Sequence, residues 1–327
     1  MPQRPTFILR DVRIFTGDYI IESGYVYVED GKIKAYGQGL PGSEADDVKQ
    51  IPLVGHTVLP GFIDCHVHAF LGDDRCMSTS LQFGITTVLD MHNETEFMHK
   101  LKNLVAQESS FSTHADFKSS GLSASIPGGY PFKLVTEIVK DPASVAAAET
   151  WAKLGGPEEA ETFILQRIQD GSDYIKLLQE SGKTWGWDLP KPTIDLQKAL
   201  IDMAHKHGLK CVAHAMSLED TLLVLRAGID GMAHTFCDAR ITDEIVAAYK
   251  ANNVWVCPTL AATGSMTTEG SNGQKRIARD QRVKSLVGEE ESDRLCTCMG
   301  VCHGRGKLEY AVESIKVLKE AGIDVVW

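Results

Sequence analysis

From Val58 onward the sequence alternates short apolar runs with stretches of helical periodicity, and few folds accept that pattern. The runs are FIDCHVH (62–68), TTVLDM (86–91), HADFKSSG (114–121), DYIKLL (173–178), KCVAHAM (210–216), GMAHTF (231–236), VWVCPTL (254–260) and IDVVW (323–327). Between them, DLQKALIDMAHKHG (195–208) and LEDTLLVLRAG (218–228) repeat apolar residues at helical spacing and close on glycine, a favoured helix terminator. Short strands separated by helices pair in parallel, with the helices covering the sheet. Eight in succession predict an α/β fold, a (β/α)8 TIM-like barrel over residues 58–327.

Residues 1–57 read as a separate unit, a small sandwich-like β-structure. FILRDVRIFT, the Tyr/Val alternation of YVYVEDG with its Asp-Gly turn, and KIKAYG form an antiparallel series. Residues 262–306 are polar and rich in Gly, Ser and charge, and so are expected as a long loop or short helices over one end of the barrel.

Charge narrows the partners. The net charge is -11, from 33 basic and 44 acidic residues, and no basic run offers a track for a phosphate backbone, so nucleic acid is not expected. The N-terminal MPQRPTFILRDVRIF lacks the apolar core of a signal peptide, and no window nears the roughly 18 uninterrupted apolar residues of a membrane span. A cytoplasmic protein is the expectation. Cysteines 65, 76, 211, 237, 257, 296, 298 and 302 are too sparse for a secreted disulfide framework, and Cys65, Cys211 and Cys257 lie in apolar runs, so they read as reduced.

Several of the apolar runs carry a side chain that can bind a metal. On a strand, His66 and His68 point to one face together with Asp64. Lys176 interrupts DYIKLL, His214 interrupts CVAHAM, and His234 interrupts GMAHTF. Each histidine alone could be an interior hydrogen-bonded side chain. Lys176 is harder to place, because burying an ammonium without a partner is costly; a salt bridge to Asp173 or Glu180 is the alternative. Barrel strands bring their C-terminal ends to one mouth, where four imidazoles and one amine would meet.

The phrases VLPGFIDCHVH, FGITTVLDM, DYIKLL, the histidines of CVAHAM and GMAHTF, and the closing LKEAGIDVV resemble the metal-dependent amidohydrolase superfamily, from about Phe7 to the last residue. The resemblance implies that His66 and His68 bind the more buried of two metal ions. It also implies that Lys176, carboxylated by carbon dioxide to a carbamate, bridges both, with His214 and His234 on the second. Nitrogen and carboxylate-like oxygen donors suit Zn²⁺ first, with Mn²⁺, Co²⁺ and Ni²⁺ as alternatives. Such a pair activates a water near neutral pH and polarises the scissile carbonyl, so hydrolysis of C–N bonds is implied.

The bridging lysine, YIKLL and the loop SASIPGGYP resemble most the branch that hydrolyses Xaa-Pro dipeptides and N-acyl amino acids, ochratoxin among them. In that branch Gly128, Gly129 and Tyr130 would contact a small amide or dipeptide substrate. A cyclic amidase or deaminase is the alternative, against which Lys176 argues. The superfamily's acid-base Asp follows a run like IDVVW, beyond Trp327. Asp324 lies earlier in the strand, so the catalytic residue is unassigned. The barrel is thus expected to be incomplete at its C-terminal end, which predicts weak turnover or a non-catalytic protein that keeps the metal site. It also predicts self-association, as a homo-oligomer, through an open edge. His205 and His207, in a helical stretch, read as solvated surface residues. Cys296, Cys298, Cys302 and His303 lack the paired spacing of a zinc site and read as part of a surface helix or loop.

Overall fold

Two antiparallel pairings build the N-terminal sheet: β1 (Phe7–Phe15) with β2 (Ile20–Glu29), and β2 with β3 (Lys32–Gln38). β4 (Gln50–Pro52) and β5 (Thr57–Val58) add to β1 in parallel. The β2–β3 hairpin turns on Asp30 and Gly31, both at positive φ (52° and 74°), as a two-residue Asp-Gly turn requires. The alternation of YVYV sorts Tyr25 and Tyr27 into one apolar cluster with Ile8, and Val26 and Val28 into another with Val12 and Ile14.

The computed structural model describes residues 4–42 and 47–327. Residues 1–3 and 43–46, part of the expected N-terminal β-unit, lie outside the described residues. The chain divides into two units, Met1–Phe62 and Ile63–Trp327. The second holds two runs of sequential strands. One is β6 (Phe62–Val67), β7 (Ile85–Asp90) and β8 (Asp116–Ser119); the other is β9 (Ile175–Leu178), β10 (Cys211–His214), β11 (Gly231–Met232) and β12 (Trp255–Val256). The printed pairings of these strands, β7 with β8 and β9 through β12, are parallel. Single parallel bridges join Ala124 to Leu177 and Val256 to Val325, and the Cys65 amide donates to the Trp327 carbonyl at 2.8 Å.

Helices between the strands begin and end where the sequence signals. Thr193 caps helix Ile194–Lys206 through its hydroxyl, Ser217 caps Leu218–Ala227, and Gly228 ends the latter at φ 95°. Their apolar faces, with Leu200, Ile201, Val224 and Leu225, pack on the outward residues Ile175, Leu177, Cys211 and Ala213. The opposite strand face carries Tyr174 and Val212, clustered with Met91 and Ala233. Lys176 alternates with Ile175 and Leu177 and so shares that inner face. The polar segment after Cys257 is helical: Leu260–Thr267, Ser271–Ala278, Gln281–Val287 and Glu289–Leu295. Among the described residues no helix is long and apolar enough to cross a membrane.

The later ladders are shorter than the apolar runs suggest: residues 231–236 and 254–260 were expected as strands, yet β11 and β12 hold two rungs each. Residues 231–237 are nonetheless buried throughout, so the apolar pattern there records burial and not pairing. Gly231 lies under the Trp255 indole, where an added Cβ would stand 2.2 Å from a ring carbon. Gly231→Ala is therefore expected to destabilise the protein by about 1–3 kcal/mol through overpacking. A denaturation midpoint equal to wild type would show that Trp255 can swing aside.

Candidate metal centre

Each residue singled out by the sequence sits at or just past the C-terminal end of its strand. His66 is in β6 and His68 follows it; Lys176 is in β9, His214 closes β10, and His234 lies two residues past β11. The rings gather: centroid separations are 5.2 Å for His66–His68, 4.6 Å for His66–His234 and 4.7 Å for His214–His234.

Hydrogen bonds fix which nitrogen each ring can offer. His66 Nδ1 donates to the Ala233 carbonyl at 3.0 Å, which leaves the Nε2 lone pair free. His66 Nε2 stands 3.3 Å from His68 Nε2. Two nitrogens on one tetrahedral zinc, each about 2.0–2.1 Å from it, lie roughly 3.3–3.4 Å apart, so this pair is in ligating register. His234 Nδ1 is 2.6 Å from the Thr259 hydroxyl, which orients Nε2 away from it. His214 is turned the other way. Its Nε2 donates to Glu180 Oε2 at 3.0 Å and its Nδ1 is the open nitrogen. Ligating separation is limited to the His66–His68 pair: among the described residues no group of three or more His, Cys, Asp or Glu side chains could hold a metal ion.

Burial keeps these groups neutral. Desolvation pushes His66 and His234 well below the ordinary imidazole range, and His68 down to about 3, helped in each case by the Lys176 charge. His68 retains a solvent-accessible edge, but the surrounding protein still disfavours its protonation. His214 is also lowered by burial, against the pull of Glu180. Lys176 is only 2% exposed, and desolvation brings its ammonium down to about 7, with Cys257 and Asp90 opposing.

The salt bridge considered for Lys176 is not formed with either candidate. Asp173 pairs with Lys102 at 2.7 Å and accepts from the Ser119 amide, and Glu180 is held by His214 and by the Gly182 amide at 2.7 Å. Lys176 is thus a buried amine among neutral imidazoles. This donor set fits a divalent metal: deprotonated nitrogens, two of them already at the right separation, and an amine whose desolvation leaves it ready to lose its proton.

Of the expected substrate loop, Tyr130 stacks on His214 at 4.3 Å and 12° and leans on Trp185 at 5.3 Å. Gly128 supplies the positive φ (72°) of the turn, and at Gly129 a Cβ would strike Ile126 at 2.8 Å. Three contributors escaped sequence reasoning: Glu180 behind His214, Thr259 behind His234, and the buried His92. The cysteine segment also differs from expectation in one respect. Cys296 and Cys298 are half-buried, but Cys302 is fully buried, bonded to the Cys237 thiol in an apolar cluster. His205 pairs with Asp230 at 2.7 Å on the surface, and His207 is exposed at the end of its helix.

The geometry agrees with the comparisons to known proteins. The profile of the Amidohydrolase family matches residues 57–285. The chain is 24% identical over 312 residues to N-acetylglucosamine-6-phosphate deacetylase of Bacillus subtilis (strain 168), covering 86% of this chain and 72% of that protein. It is 41% identical over 58 residues to imidazolonepropionase of Streptococcus sanguinis (strain SK36), a stretch that is 17% of this chain and spans only 14% of that relative. Among solved structures, a Xaa-Pro dipeptidase with bound methionine in its active site superposes with a TM-score of 0.71 at 18% identity, over 98% of this chain and 78% of that one, a likeness of fold. With strand-end histidines gathered around a buried lysine and the family profile matching well over half of its length, the chain belongs to the amidohydrolase family.

Proposed function

We propose that the protein is a metal-dependent hydrolase of C–N bonds in amino-acid derivatives or dipeptides, built on a (β/α)8 barrel. The barrel reading draws on the eight sequential segments and on the single hydrogen-bonded links at Ala124–Leu177, Val256–Val325 and Cys65–Trp327. The observation that carries the function is Lys176: a fully enclosed amine with neither expected carboxylate beside it, surrounded by imidazoles that burial keeps neutral.

His66 and His68 would hold one divalent ion and His214 and His234 another, with the carbamate of Lys176 between them and zinc the first choice. When bound, such ions supply Lewis acidity for a carbonyl and lower the pKa of water toward about 7. The chain's own groups set the stage for that. Ala233, Thr259 and Glu180 hold three rings in one tautomer, which orients the ligands and raises their basicity. Tyr130 and Trp185 give an aromatic wall beside His214, suited to the apolar part of a small substrate.

The test pairs metal analysis of purified protein with a hydrolysis panel of N-acetyl-L-amino acids and Xaa-Pro dipeptides. Bound divalent metal with amide turnover is the expected result. Metal without turnover on any member would leave a metal-binding scaffold and overturn the hydrolase reading.

A further inference from the structure

His92 follows β7 at the strand edge where His68 follows β6, and the neighbouring Met91 amide donates to the Val67 carbonyl at 3.0 Å. Its ring is 8% exposed. The Ser123 backbone N–H approaches Nδ1 at 3.2 Å, and the Ser123 hydroxyl lies 2.9 Å from the same nitrogen. A backbone N–H can only donate, so Nδ1 must be the acceptor and the single proton of the neutral ring sits on Nε2. That Nε2 is buried and meets no acceptor among the described residues. Trp151 closes on the ring at 4.4 Å, but its own indole N–H is taken by Glu94 at 2.8 Å.

Lys176 and His68 both lie within electrostatic reach of this ring. A buried donor left without a partner costs about 1–3 kcal/mol, and native proteins rarely carry that cost away from a functional site. We propose that His92 donates from Nε2 to an oxygen of the substrate bound at the metal centre, the carbonyl or carboxylate of an amino-acid amide. The inference rests on the amide-hydrolase reading. It does not make His92 a metal ligand, since the nitrogen facing outward carries the proton.

Two side chains separate the two ring nitrogens. Asn places an acceptor near Nδ1 and can keep the Ser123 bond, but offers no donor at the Nε2 position. Gln reaches the Nε2 position with an N–H. His92→Asn is expected to lower kcat/KM on N-acetyl-L-phenylalanine or glycyl-L-proline by about 10²-fold, the usual effect of removing one placed donor, and His92→Gln to recover most of it. The loss falls on kcat if the N–H meets the carbonyl oxygen and on KM if it meets a carboxylate, and both patterns support the assignment. Zinc content should be unchanged in both variants. A His92→Asn enzyme within about threefold of wild type would overturn the inference. Equal losses in the two variants, or loss of zinc, would assign His92 to packing or ligation and overturn it as well. Wild-type turnover with unaffected variants sinks only this inference, whereas a wild type inert on the whole panel sinks the functional reading and this with it.

Discussion

Lys176→Ala should bind markedly less metal than wild type and lose nearly all amide turnover, with partial recovery of both when formate, acetate or propionate is added. The variant removes the one side chain able to become a bridging oxygen ligand, while the imidazoles, fixed by Ala233, Thr259 and Glu180, stay in place. A small carboxylic acid can occupy the vacated volume and restore the oxygen donor. Lys176→Met adds a second readout. It keeps the stem volume but deletes a buried amine, so the metal-free variant should be more stable than metal-free wild type. The sign can be followed with pH. Desolvation lowers the native pKa to about 7 from an unfolded value of 10.5, so the stability cost of Lys176 is full below about pH 7 and fades as pH rises toward 10.5. Metal stoichiometry equal to wild type in Lys176→Ala would refute the ligand role.

Glu180→Ala should be nearly as damaging, although Glu180 would touch neither metal nor substrate. The carboxylate is buried and satisfies two donors, His214 Nε2 and the Gly182 amide. Deleting it strands both, at about 1–3 kcal/mol for a buried unpaired group, and frees the His214 ring to flip or change tautomer. Loss of such an orienting partner typically lowers metal affinity about 10–100-fold. Glu180→Gln keeps one acceptor and should fall between. Competition with a chelator of known affinity, alongside a denaturant titration, measures the two effects. Unchanged zinc affinity in Glu180→Ala would mean that Tyr130, stacked on His214, holds the ring unaided.

These outcomes show what the sequence could and could not disclose. His66, His68, Lys176, His214 and His234 were legible because each polar side chain interrupts an apolar run, and burial without a role is costly there. Their convergence followed from the strand-helix alternation, which sets strand ends side by side. Glu180 and His92 were not legible. Both stand just past a strand, where polar residues are ordinary, and only the direction of a hydrogen bond reveals their part. The short ladders of β11 and β12 escaped for a related reason: hydrophobicity reports burial, and the residues after Met232 remain buried after pairing stops.

The bond from His66 Nδ1 to the Ala233 carbonyl joins residues 167 positions apart. Contacts so distant along the chain form only after most intervening structure has condensed, and folds dominated by them reach the native state slowly. The centre is therefore a late product of folding that no fragment assembles alone. An ion held there reports on the entire architecture: at a hundred times its dissociation constant it would add about 2.7 kcal/mol to global stability. Chelation should accordingly lower the melting temperature of the protein as a whole, and purified protein stripped of metal should be the form most easily lost to proteolysis and aggregation.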